Sequence, residues 1–214
     1  MIDPYAKTQD IKLQSGDLAL EALLQRPTSD TSTAGAVVAP PHPLYGGSLS
    51  NPVVQVTAEA LLEAGFTTLA FNYRGTEGSE GVATDSLDAS TADYAAALAE
   101  LRKHAAGPTI AAGYSFGAGT ALLTARDEPN LLGLVLIAPP LGMLRVEDLA
   151  AFKGRVLIVV GDDDEYAPLS ELRGLLAERT NVVLEVLPGV DHFFHFGGIR
   201  ALFNVLREQV QSWL

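Results

Sequence analysis

The chain has 214 residues, 48% hydrophobic and only 19% charged, a balance that suits one compact globular domain over residues 1–214 and excludes a disordered or fibrous protein. A formal charge of −12, with 14 Lys and Arg and no basic run among them, opposes binding to nucleic acid or anionic lipid and favours neutral or cationic small molecules. With no cysteine, disulfides, thiolate catalysis and thiolate metal sites are excluded, and any nucleophile is oxygen or nitrogen.

Residues Met1–Asp10 carry no apolar stretch behind a basic start, and nowhere do eighteen apolar residues run together, so the expectation is a cytoplasmic protein without a membrane span. Asp10–Gln14 and Leu18–Gln25 flank the turn residues Ser15-Gly16-Asp17 and predict an antiparallel hairpin at a sheet edge. A polar linker, Arg26–Thr33, follows. Beyond it, short apolar strands alternate with longer helical stretches, the rhythm of an α/β fold with a parallel sheet.

The predicted strands are Gly35–Ala39, Thr67–Tyr73, Thr109–Gly113, Leu132–Ala138, Val156–Val160 and Val182–Leu187, each apolar on both faces as buried parallel strands are. The predicted helices are Pro52–Ala64, Asp85–Ala105, Ser115–Arg126, a short one near Arg145–Phe152, Leu169–Glu178 and Gly198–Leu214. Gly65, Gly107 and Gly154 are placed as C-terminal caps of three of them.

Gly113-Tyr114-Ser115-Phe116-Gly117 stands between a strand-like and a helix-like run, the context of a nucleophile elbow. At such a bend the serine takes a strained backbone, and side chains two residues to either side would collide, so both flanking positions are glycine. Functional groups of an open parallel sheet gather where loops leave the carboxyl ends of strands. After the strand at Val156–Val160 comes an acidic cluster, Asp162-Asp163-Asp164-Glu165; after Val182–Leu187 comes Pro188-Gly189-Val190-Asp191-His192. With Ser115 these give the chain order serine, acid, histidine, with a further strand-helix unit's worth of chain between each.

Five motifs in this order resemble those of the α/β-hydrolases, and specifically the small, lidless bacterial serine esterases allied to dienelactone-hydrolase-like proteins. They are Pro41-His42-Pro43-Leu44-Tyr45-Gly46-Gly47, Asn72-Tyr73-Arg74-Gly75, the elbow, Gly161-x-x-Asp164-x-x-x-Pro168 and Asp191-His192-Phe193-Phe194. The likeness runs from about Gly35 to the C-terminus; dienelactone hydrolases proper use cysteine where this chain has Ser115. The resemblance implies an α/β-hydrolase fold with helices on both faces of a mostly parallel sheet. It implies Ser115 as nucleophile, His192 as base and, through the alignment on Gly161 and Pro168, Asp164 as the acid, with Asp163 as the alternative.

The oxyanion donors expected are the backbone N–H of Phe116 and one from the His42–Tyr45 loop. Pro43 has no N–H, so Leu44 is favoured, with Tyr45 next. His195 is expected to line the pocket or stand exposed, His42 to hold the oxyanion loop, His104 to sit late in a helix, and Arg74 to brace loops. Gly117-Ala118-Gly119-Thr120-Ala121-Leu122 begins like a dinucleotide fingerprint but starts inside a helix and ends in Leu, so Gly119 is assigned to tight helix packing on the sheet. No two histidines and carboxylates share a helix at ligand spacing, so neither a metal nor another cofactor is expected.

The connection Pro139–Arg155 holds one short helix where larger relatives insert a cap. A shallow cleft walled by Leu44, Tyr45, Phe116, Leu141, Met143, Tyr166 and Phe193 is expected, suited to short acyl chains. The expected activity is carboxylic-ester hydrolysis on a small-molecule ester by a monomer or homodimer. A thioesterase or peptidase using the same three residues is the alternative within enzymes, and a non-catalytic binding module is the alternative outside them.

Overall fold

A computed structural model describes residues 7–28, 33–128 and 130–214. Eight strands form one sheet in the order β1-β2-β4-β3-β5-β6-β7-β8. The hairpin is β1 (Lys7–Ser15) and β2 (Leu18–Arg26), longer than the sequence suggested, and Gly16 turns it at φ 59°. β2 pairs antiparallel with β4 (Thr67–Phe71), while β3 (Gly35–Ala39), β5 (Thr109–Tyr114), β6 (Leu131–Ile137), β7 (Arg155–Gly161) and β8 (Val182–Leu187) continue the sheet in parallel. Of the expected linker, residues 29–32 lie outside the described residues.

Because side chains alternate across a strand, each apolar strand feeds two cores. Val37 and Ala39 of β3 and Leu134 and Leu136 of β6 enter one core; Ala36, Val38, Val135 and Ile137 enter the other. The first is covered by α2 (Leu87–Leu101), α3 (Phe116–Thr124), α4 (Val146–Ala151) and α5 (Leu169–Leu176), the second by α1 (Pro52–Glu63) and α6 (Gly198–Val210). No helix among the described residues is long and apolar enough to cross a membrane.

Three readings of the elements are corrected. β8 is not buried on both faces: it is the edge strand, and Val183 is half exposed. α2 is shorter than Asp85–Ala105, because Ser86 caps it by accepting from the Ala89 N–H and three turn residues follow Leu101. Of the three glycines expected to cap helices, only Gly65 takes the left-handed conformation, at φ 98°. Gly107 is required by close approach to Thr33, and Gly154 by close approach to the Phe152 ring and the Leu132 carbonyl.

Asp93, fully buried on α2, ties the hairpin to the sheet. It accepts from Ser15 Oγ at 2.6 Å, from the Arg74 guanidinium at 2.7–3.2 Å and from the Arg74 backbone N–H at 3.1 Å. Arg74 is thus the brace expected of it. Asn72 does parallel work, accepting from the Leu49 N–H at 2.7 Å and donating to Glu21 and Glu77. Removing one member of a buried ion pair leaves the other uncompensated, so Asp93→Ala is expected to cost about 3 kcal/mol in urea unfolding. The exposed Asp10→Ala on β1 is expected to stay within about 0.5 kcal/mol.

Candidate active site

The site lies at the carboxyl ends of β5, β7 and β8. Ser115 sits between β5 and α3 at φ 54° and ψ −117°, a backbone that an L residue occupies at a cost on the order of 1–3 kcal/mol. Its N–H donates to the Ile137 carbonyl at 2.8 Å and its own carbonyl accepts from Ala118 at 2.9 Å, which fixes the bend from both sides. A Cβ on Gly113 would run into the Gly117 backbone; one on Gly117 would run into the carbonyls of Ala39 and Pro40. Both glycines of the elbow are therefore required by close backbone contact.

The loops after β7 and β8 bring the acid and the imidazole to this bend. His192 Nε2 lies 3.0 Å from Ser115 Oγ, and His192 Nδ1 lies 3.0 and 2.9 Å from the two oxygens of Asp164. Asp164 is 4% exposed, and the N–H groups of Tyr166 (2.8 Å) and Ala167 (3.1 Å) donate to its Oδ1. Those bonds and the Nδ1 contact fix the carboxylate against the imidazole edge. Asp163 is exposed to solvent. Asp162 accepts from the Gly189 N–H at 2.6 Å and so ties the acid loop to the histidine loop.

Tyr114 went unnoticed in the sequence because its position inside the elbow reads as spacer. Its hydroxyl donates to the His192 carbonyl at 3.0 Å and its ring packs on Phe194, supporting the histidine loop from below. Burial and the nearby carboxylates of Asp164 and Asp191 push its phenol well above the usual range, so it stays a neutral donor. His195 does not face Ser115: its Nδ1 lies 2.7 Å from Asp191 Oδ2, and its N–H bonds Asp191 Oδ1 at 3.0 Å. Those bonds hold the Asp191 carboxyl below its ordinary value. His104 lies past the end of α2 between Arg26 and Glu100, far from this edge of the sheet.

The Phe116 N–H opens the first turn of α3, where no carbonyl within the helix can pair with it, and is free to face an oxyanion. In the facing loop, Tyr45 and Gly47 N–H groups donate to the His42 carbonyl and Gly46 to Pro43. Leu44 N–H donates to the side chain, His42 Nδ1, at 3.2 Å. Leu44 is thus the one N–H of residues 44–47 held by a side chain and not locked in a backbone turn. Burial lowers the His42 pKa against the opposing pull of Asp85, keeping the ring neutral and Nδ1 able to accept.

Above the serine is a cavity of about 310 Å³, lined by His42, Tyr45, Tyr114, Phe116, Pro140, Met143, Tyr166 and Phe193 along with Ser115 and His192. Five of the seven expected wall residues are there. Leu141 is not, because it packs against the core under α3, and Leu44 turns half out to solvent. Gly119 was assigned to contact with the sheet; it faces Met143, whose side chain a Cβ there would strike. A wider groove between α1 and α6, lined by residues such as Gln55, Val56, Arg200 and Phe203, contains none of these groups. Among the described residues no three His, Asp or Glu side chains converge to hold a metal.

Comparisons with known proteins agree with this fold. Residues 47–145 match the family model described as serine aminopeptidase, S33. An α/β serine hydrolase homologue from Coxiella burnetii is 30% identical, with 98% of each chain covered and a TM-score of 0.85. A lidless α/β serine hydrolase from Xanthomonas campestris is 29% identical over 100% of this chain and 98% of its own, also at a TM-score of 0.85. An uncharacterized protein of Rickettsia prowazekii (strain Madrid E) is 30% identical over 75% of this chain and 72% of its own. The chain belongs to the α/β-hydrolase superfamily, in its small group of serine hydrolases without a lid.

The two kinds of glycine near Ser115 are separable by experiment. Gly117→Ala meets backbone that cannot yield, and is expected to lower the thermal midpoint markedly or to prevent soluble expression. Gly119→Ala meets a flexible methionine, and the expected cost is about 1–3 kcal/mol in denaturant unfolding with the fold retained.

Proposed function

We propose that this protein hydrolyses carboxylic esters through an acyl-enzyme on Ser115. The observation that carries the reading is the unbroken hydrogen-bonded chain from Ser115 Oγ through His192 to Asp164, beneath an open cavity. Ser115 Oγ attacks the carbonyl carbon while His192 Nε2 takes its proton, and Asp164 holds the tautomer and stabilises the imidazolium. The oxyanion is met by the Phe116 N–H and by the Leu44 N–H once it turns from His42. As the tetrahedral adduct collapses, the carbon–oxygen bond to the alcohol breaks and His192 returns the proton to that oxygen. Water then repeats the cycle on the acyl-serine, with no cofactor required.

The connection between β6 and β7 supports a short acyl group. Its regular elements are a single 3₁₀ turn, Leu141–Met143, and the six residues of α4, so this connection supplies no cap to bury a long chain. Each methylene left in water forgoes about 0.8 kcal/mol. The matched family's description raises an aminopeptidase as the second reading. Recognition of a peptide's amino terminus calls for an acidic partner, and no Asp or Glu lines this cavity. The proposed substrate is therefore a neutral small-molecule ester.

Ser115→Ala is expected to abolish labelling by a fluorophosphonate and to cut ester turnover by on the order of 10⁴–10⁶. Asp164→Asn is expected to lose about 10⁴ in kcat with the serine still in place. Against a panel of p-nitrophenyl esters, acetate and butyrate should be cleaved faster than long-chain acyl esters. A tenfold or smaller loss in Ser115→Ala would overturn the reading.

A further inference from the structure

Resting on that ester-hydrolase reading, we propose that Tyr166 and Phe193 form the subsite for the alcohol half of the ester, and that this half carries an aromatic ring. The direction of the leaving group follows from the proton it must receive. His192 Nε2, 3.0 Å from Ser115 Oγ, is the donor, so the departing oxygen lies on the His192 side of the adduct. The oxyanion is directed toward the Phe116 N–H, and the acyl group is left with the rest of the lining, which includes His42, Tyr45, Pro140 and Met143.

What flanks His192 is aromatic. The Tyr166 ring is 4.6 Å from the imidazole and tilted by 47°; the Phe193 ring is 5.4 Å away and stands edge-on at 89°. Beyond Phe193 the row continues to His195 at 5.8 Å and Phe196 at a further 6.0 Å. Tyr166 is 49% and Phe193 55% exposed, so packing does not account for either ring: each leaves half its surface to water at the mouth of the cavity.

Two exposed rings beside His192 fit a third ring in tilted or edge contact, an arrangement worth about 0.5–1.5 kcal/mol beyond area burial.

The test uses two acetate esters whose alcohols differ in the ring alone, 2-phenylethyl acetate and 2-cyclohexylethyl acetate, so that leaving-group acidity is matched. Wild type is expected to prefer the phenyl ester by about three- to tenfold in kcat/KM. That ratio should fall toward one in Phe193→Leu and in Tyr166→Leu, while Met143→Leu keeps it. A ratio is blind to a general loss of fold or of nucleophile strength, which would lower both esters together. If wild type cleaves both esters at equal kcat/KM, or if both ring variants keep the preference, the subsite is wrong and the hydrolase reading stands. If neither ester is cleaved and Ser115 takes no fluorophosphonate, the hydrolase reading itself fails and takes the subsite with it.

Discussion

Everything at the upper edge of this sheet depends on one expensive backbone position. Ser115, at φ 54° and ψ −117°, is held in a conformation that no local preference favours. It persists because its surroundings over-determine it: a hydrogen bond to β6 on one side, the start of α3 on the other, and two glycines that let three backbones meet. The strain has a structural consequence beyond the serine. Turning this sharply puts the Phe116 N–H at the open end of a helix, beside the hydroxyl that the same bend lifts clear of the sheet. The proposed nucleophile and the proposed donor for its oxyanion are thus placed by a single constraint.

The rest of the fold supplies partners to that bend. The acid and the histidine come from loops after β7 and β8, and these loops are cross-linked before either reaches the serine: Asp162 receives Gly189, Asp163 N–H reaches Val190, and Tyr114 holds the His192 carbonyl. On the opposite side, Asn72 fixes Leu49, and Tyr73 shares a hydrogen bond with Thr120 of α3, so the loop that follows His42 and the helix carrying Phe116 are both anchored to the loop that leaves β4. This pre-arrangement fits a site that must bind charge without reorganising when it appears.

Ser115, Asp164 and His192 were legible in the sequence because each is announced by local chemistry. Paired glycines mark the bend, and loops after apolar strands carry the two polar partners. The alternation of strands and helices gave the parallel sheet for the same reason, since hydrophobic period is a local signal. What escaped was long-range. Asp93 looks like any acidic residue on a helix, and nothing nearby says that Arg74 and Ser15 will close around it. The edge position of β8 depends on strand order, which the apolar run Val182–Leu187 cannot encode. Gly119 was read against the sheet and is required by Met143, a contact set by how the β6–β7 connection folds back.

The absence of a lid changes which part of the site can discriminate. The lining beside Ser115 includes Pro140 and Met143, and on the proposed ester-hydrolase reading additional acyl methylenes would project into water. The apolar surface left to the site is concentrated at its rim, in Tyr45 on the His42 side and Tyr166 and Phe193 on the His192 side, each strongly exposed. Rings held by backbone hydrogen-bonded loops lose little entropy when a flat partner settles against them, whereas a long flexible chain must order itself against nothing. On the proposed ester-hydrolase reading, a lidless site built this way gains more from the shape of the alcohol that leaves than from the length of the acyl chain that stays.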